Sequence, residues 1–203
     1  MGELKISSYE EMSRPSELKL SNVTVGDLQS NPRGGKTAPI LSDGKQIRLK
    51  LRGCTTPFCC SAYDQKSTRR ALDVRTDKEL RAFCERLDAA LLPHAGKLSC
   101  QAGGYKSLAK AQKEGYDSLF RQKITLDDEG HTPVKFYTAD KKRMTPEQIA
   151  AIEWRDVEMD INLSISNVFV NAGNWGAIAS PTSILIRSHD TCEFSGSELE
   201  KFD

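Results

Sequence analysis

The sequence predicts an α+β chain that is mainly β: an OB-like antiparallel β-barrel with an inserted pair of helices and an acidic C-terminal tail. Three observations predict it. Apolar and polar residues alternate with period two in several short runs, most strictly from Ile47 to Arg52, as half-buried strands do. Apolar residues at helical spacing gather between those runs, over residues 77–92 and more weakly over 105–120. Strands and helices do not alternate regularly, which removes the βαβ rhythm of a doubly wound sheet. An open β-sandwich is the alternative arrangement of the same elements.

A chain of 203 residues, 38% hydrophobic and 28% charged, has the size and content of one globular domain. The expected division is a flexible arm over 1–15, one domain over 16–189 with the helical insertion at about 76–122, and the tail over 190–203. No run of eighteen apolar residues is present, so no membrane span is expected, and the N-terminus has no apolar signal-like core. Six cysteines (54, 59, 60, 84, 100 and 192) without a CxxC pair read as reduced thiols of an intracellular protein. The net charge of +1 hides an asymmetry: residues 1–125 hold 22 Lys/Arg against 14 Asp/Glu, and residues 126–203 hold 7 against 14. Opposite-sign halves point to internal pairing or to a basic binding face beside an acidic tail.

Taken in order, Leu18 to Val25 reads as a strand closed by Gly26. Residues 29–37 form a loop carrying Arg33 and Lys36; its GGKT lacks the upstream glycine of a phosphate-binding loop, and Pro39 stands where a helix would start, so an NTPase is excluded. Asp43-Gly44 between two apolar runs predicts a two-residue hairpin. The second of those runs sets Ile47, Leu49 and Leu51 against Arg48, Lys50 and Arg52, so three cations form a straight row about 6.6 Å apart on one strand face. Gly53, Pro57, Phe58 and Tyr63 then read as a strand end and an aromatic loop. Arg70 to Val74 is the next strand, preceded by Lys66, Arg69 and Arg70. Thr76 with Glu79 is a capping box, and Leu80, Phe83, Cys84, Leu87 and Leu91 are a helix stripe ending at Pro93. Residues 105–120 carry the second, Gly-interrupted stripe. Val134 to Thr138 is a strand with Lys135 and Tyr137 on one side, and Thr145-Pro146 opens a short capped helix. Residues 156–171 alternate with a phase shift near Asn167, the mark of a bulge. Residues 173–176 read as a turn presenting Trp175, and residues 177–187 as the returning strand.

A basic strand running into an aromatic loop is the layout of a single-stranded nucleic-acid platform, in which cations track phosphates and rings stack on bases. The same pattern also describes a solvated strand face with a loop Phe turned into the core. Cys54, Cys59 and Cys60 lack the paired spacing and the His partners of a structural zinc site. No nucleophile–base set can be assembled, and no enzyme, cofactor or metal is expected. Trp175, in a turn bounded by Gly173 and Gly176, reads either as a core anchor or as an exposed stacking ring.

Thr56-Pro57-Phe58 after the basic strand, and Ser166-Asn167-Val168-Phe169 followed by Trp175-Gly176, resemble the corresponding segments of single-stranded DNA-binding proteins of large DNA viruses. In architecture these are similar to the single-stranded DNA-binding proteins of T7-like bacteriophages. Cys59-Cys60 stands where that pattern tends to have glycine. The resemblance implies an OB fold and a non-catalytic role in viral-type DNA replication or recombination. It implies phosphate contacts from Arg48, Lys50 and Arg52, extended by Arg33, Lys36, Lys66, Arg69, Arg70, Arg75 and Lys135, and base stacking on Phe58, Tyr63, Tyr137 and Trp175. The acidic tail with Phe202 and Asp203 would dock replication proteins and compete with DNA for the groove. The implied partners are single-stranded DNA and those proteins, with a homodimer as an open alternative and no membrane. The competing function is a virion structural or assembly protein that binds no nucleic acid.

Overall fold

The computed structural model describes residues 12–31, 35–57, 61–62, 69–110, 118–125 and 132–188. The first strands are β1 (Val23–Val25), β2 (Gln29–Ser30), β3 (Lys36–Ser42) and β4 (Ile47–Thr55). Then come β5 (Ser61–Ala62), β6 (Arg69–Arg75), the helix α1 (Lys78–Leu91), β7 (Ala109–Lys110) and β8 (Leu119–Thr125). The chain continues through β9 (Lys135–Tyr137), a short α2 (Pro146–Ala150), and the long β10 (Glu158–Asn171) and β11 (Asn174–Ser188). The fold is mainly β. One sheet runs β1-β3-β10-β11-β9, with β2 on β3 and β4 on β10; the other runs β5-β6-β8-β7.

Alternation decides which side of the large sheet is core. Ile47, Leu49 and Leu51 of β4 stand directly opposite Ile165, Leu163 and Ile161 of β10, and all six are buried. Ala179, Ile184 and Ile186 of β11 and Phe136 of β9 continue that apolar side. The α1 stripe (Leu80, Phe83, Cys84, Leu87 and Leu91) is buried as its spacing predicts and joins the same core.

Several expectations are corrected. Neither sheet closes on itself among the described residues, so the antiparallel barrel is replaced by two open sheets, and β9 pairs with β11 in parallel. Among the described residues the pair of inserted helices reduces to α1: the stretch read as a second helix contains β7 and the start of β8. There Phe120, Gln122 and Ile124 are the inward positions of β8, and a polar residue at the middle one hides the period of two. Leu18 and Leu20 only pack against the core, and the first strand starts at Val23. Asp77, not Thr76, caps α1, its carboxylate accepting the Leu80 N–H at 2.7 Å, while the Thr76 hydroxyl and N–H both turn to the Ser118 carbonyl, at 3.0 and 2.9 Å.

The Asp43-Gly44 turn forms as expected, with φ of 49° and 73° and Ser42 and Lys45 exchanging backbone hydrogen bonds. The strands beyond it do not pair. Instead β3 and β4 lie end to end along one edge of β10, against residues 167–170 and 158–165. The expected turn at 173–176 moves to Ala172-Gly173, with φ of 47° and 80°, which places Trp175 within β11 opposite Val170. Residues 13–15 of the segment read as a flexible arm lie against the chain: Lys50 N–H donates to the Ser13 carbonyl at 3.0 Å, and Arg86 donates to the Pro15 carbonyl at 2.7 Å.

Candidate nucleic-acid interface

Strand pairing carries the β4 cations across the whole polar side of the large sheet. Lys50 stands opposite Asn162 of β10, Asn162 opposite Ser183 of β11, and Ser183 opposite Lys135 of β9. Three strand spacings of ~4.8 Å make this row about 14 Å long, a cation at each end and an amide and a hydroxyl between. One row along, Asp160, Leu185 and Tyr137 share the same side, and on the other flank Arg48, Ser164 and Ser180 do. The side is polar because each of these residues alternates with a buried aliphatic neighbour. Asn162 donates to the Ser183 hydroxyl at 2.9 Å, which fixes the middle of the row.

A bulge shapes the Arg52 end. Arg52 and Gly53 together face the single residue Asp160, and Gly53 adopts φ of 59°, the left-handed conformation glycine tolerates best. Asp160, only 8% exposed, accepts the Gly53 N–H at 2.9 Å and holds Arg187 through two bonds of 2.9 and 2.8 Å. The bidentate pair anchors the bulge from the β10 side.

Beside this end lies a groove of about 440 Å³ whose lining includes Arg14, Lys50, Arg52 and Arg75 together with Asp77 and Glu79. Arg75 donates to the Thr55 hydroxyl at 2.9 Å and pairs with Asp156 at 2.8 Å, joining β6 to β4. Burial, then the charges of Arg52, Arg14 and Lys141, push the Lys50 ammonium below its ordinary range, against the pull of Asp160. The groove lining holds four cations against the two carboxylates of Asp77 and Glu79, a surplus that attracts an anion.

The structure brings together Arg48, Lys50, Arg52, Arg75, Lys135 and Tyr137. It separates others. Lys36 opens β3 on the side of Ala38, opposite to Arg48 in register, and Arg70 is half-buried on the Leu72 side of β6. Arg69 pairs with Thr125 at the start of β6. Arg33, Phe58, Tyr63, Lys66, Phe202 and Asp203 lie outside the described residues, as do Cys59 and Cys60.

Trp175 is a correction: it is 0% exposed, its indole N–H donates to the Gln101 carbonyl at 2.9 Å, and Tyr105 meets it edge-on at 4.8 Å. Its strand partner Val170 lies on the apolar side, so the ring belongs to the core and is no stacking surface. Gly176 next to it also has a packing reason. A Cβ there would sit 2.3 Å from the Lys106 carbonyl oxygen, so only glycine admits the chain that crosses it.

Sequence reasoning missed Arg14, Lys141, Arg143, Asn162, Ser164 and Ser183. The Lys141-Lys142-Arg143 run was visible as charge, but only register shows which side it faces. Burial pushes the Cys54 and Cys84 thiols up to about 12, which leaves both protonated and unreactive at neutral pH. Among the described residues no three His, Cys, Asp or Glu converge as a metal site would require, and no helix is long and apolar enough to cross a membrane.

No protein-family model matches the chain, and no curated protein matches it. Among solved structures, it is similar to the single-stranded DNA-binding protein from bacteriophage Enc34 with a C-terminal truncation: 12% identity, TM-score 0.49, over 80% of this chain and 96% of that one. The Enc34 protein in complex with ssDNA aligns at 10% identity and TM-score 0.49, over 82% and 97%. The crystal structure of gp2.5, a single-stranded DNA-binding protein encoded by bacteriophage T7, aligns at 11% and 0.48, over 78% and 96%. These neighbours are phage proteins, so the part of the sequence resemblance that points to large DNA viruses is not met by them. At such identities and scores the functional reading rests on the geometry of this chain.

Proposed function

We propose that the chain is a non-catalytic single-stranded DNA-binding protein of viral-type replication or recombination, and that the polar side of its large sheet is the interface. The observation that carries this reading is the row Lys50–Asn162–Ser183–Lys135, flanked by Arg48 and Arg52, on a half-exposed sheet side that holds Tyr137. Cations at two edges of a shallow face suit a phosphate backbone crossing or skirting it, and the half-buried hydroxyls of Ser164 and Ser183, the latter held by the buried Asn162 amide, supply neutral contacts. Tyr137 offers a ring to a base, which is accessible for stacking only when it is unpaired. We assign phosphate contacts to Arg48, Lys50, Arg52, Arg75 and Lys135, and extend the track on the sequence pattern alone to Arg33, Lys66 and Arg69, but not to Lys36 and Arg70, which share a side with buried Ala38 and Leu72. Phe58 and Tyr63 join Tyr137 as stacking rings on the same basis, and Phe202 and Asp203 of the acidic tail form the partner-docking end. The organisation is read as OB-like.

The test is a titration of a fluorescein-labelled oligo(dT) and of a duplex of equal length, at several salt concentrations, with the wild type and with Arg48→Gln/Lys50→Gln/Arg52→Gln. Each phosphate contact on a single strand contributes ~0.7 to the slope of log affinity against log salt, so the triple variant loses about 2 from that slope. An unchanged affinity and slope would reduce the row to a solvated strand face. Failure of the wild type to bind either oligonucleotide would favour an assembly role without nucleic acid.

A further inference from the structure

We propose that the turn after β9 is the second wall of this interface, with Lys141 and Arg143 taking phosphates across the sheet from the β4 cations. The inference rests on the single-strand reading above and names the residues that complete its site. Arg143 forms an antiparallel bridge with Tyr137, and directly opposed residues of an antiparallel pair share a side. Tyr137 in turn stands opposite Leu185 of β11, so Arg143 extends the Asp160–Leu185–Tyr137 row outward by one more chain. An exposed arginine therefore flanks the half-buried ring on the polar side.

The turn is built rather than loose. Thr138 N–H donates to the Lys142 carbonyl and Lys141 N–H to the Thr138 carbonyl, both at 2.9 Å. The Thr138 hydroxyl donates to the Asp140 carboxylate and accepts the Lys142 N–H, the latter at 3.2 Å. These bonds hold Lys141 at φ of 64°, a conformation that is unfavourable for a lysine and that persists only where its surroundings enforce it. Strained residues of this kind cluster at ligand clamps.

Charge agrees with geometry. Lys142 pairs with Asp140 at 2.8 Å, and this bond, then that of Thr138, holds the Asp140 carboxyl down to about 2. Lys142 is thereby neutralised locally, and Lys141 and Arg143 provide the turn's surplus. Lys141 is also among the charges that act on the Lys50 ammonium, in agreement with the side that the Tyr137–Arg143 bridge gives the turn. The result is a trough with β4 cations on one wall, Lys135, Lys141 and Arg143 on the other, and a floor of Asn162, Ser164 and Ser183.

The experiment compares salt slopes for oligo(dT) binding in the wild type, in Lys141→Gln/Arg143→Gln, and in a control, Lys45→Gln/Arg81→Gln, whose two cations are exposed elsewhere. Two lost phosphate contacts lower the slope by about 1.4, and the control leaves it unchanged. Between 50 and 200 mM salt this makes the turn variant's affinity fall by about sevenfold less than the wild type's. A turn variant with the wild-type slope overturns the proposal while leaving the β4 row in place, and so does an equal loss in the control. If the wild type does not bind single strands, the underlying reading fails first and this one with it.

Discussion

Replacing Trp175 with phenylalanine separates a core ring from a binding ring. The indole is fully buried against Tyr105 and donates one hydrogen bond, to Gln101, at 2.9 Å. Phenylalanine keeps the ring contact but removes about 40 Å² of buried surface, worth ~1 kcal/mol at ~25 cal/mol per Å². The lost hydrogen bond adds ~1 kcal/mol. For a chain of 203 residues, ~2 kcal/mol lowers Tm by about 4–8 °C. Circular dichroism measures the melting shift, and fluorescence anisotropy with oligo(dT) measures affinity at a temperature where both proteins are folded. The expected result is a lower Tm with affinity within twofold of the wild type. A Tm within 1 °C of the wild type together with a several-fold loss of affinity would refute the core assignment and return Trp175 to the interface.

Two further outcomes follow from the small sheet. Gln122 is 0% exposed and neither its amide nitrogen nor its oxygen has a hydrogen-bond partner among the described residues, so Gln122→Met, similar in volume and apolar, should stabilise the fold by ~1–2 kcal/mol in urea unfolding; a loss of stability would mean that the amide is satisfied. Burial pushes the Asp73 carboxyl up, but the hydrogen bonds and charge of Arg121 (2.8 and 2.6 Å), then those of Lys110, outweigh it and hold the group below its ordinary 3.8. A folded value below the unfolded one contributes stability that is present above pH ~4 and is lost as pH falls through the folded value, so unfolding midpoints for the wild type should drop in that range and those of Asp73→Asn should drop less.

Where the sequence pattern was strict, the structure follows it. The alternation of β4, the α1 stripe and the Thr145 cap each depend on local chemistry, and each stands where its residues place it. The Thr145 capping box closes with both of its bonds, at 2.9 and 3.3 Å. Misreadings arose where tertiary contacts overrode local preference. Gln122 masked a buried strand, and Trp175 lies in β11 rather than in a turn because the chain reverses at Ala172-Gly173, two residues earlier than the glycine pattern suggested. Once in the strand, Trp175 takes the side of its partner Val170, so turn placement decided between stacking and core. The candidate site was half legible. Arg48, Lys50 and Arg52 were evident as a row, and so was the shared side of Lys135 and Tyr137. That both belong to one surface depends on pairing among β4, β10, β11 and β9, four strands separated by up to about 130 residues, which no local pattern encodes.

The most direct measurement is the salt dependence of wild-type binding to oligo(dT) beside that to a duplex of equal length. Arg48, Lys50, Arg52, Arg75 and Lys135 in contact with phosphates give a slope of at least about −3.5 for the single strand, and each further contact, Lys141 and Arg143 included, steepens it by ~0.7. A polar sheet side that stacks unpaired bases on Tyr137 binds the single strand more tightly than the duplex at every salt concentration. A slope near zero, or equal affinity for the two, would contradict a single-strand interface on this sheet.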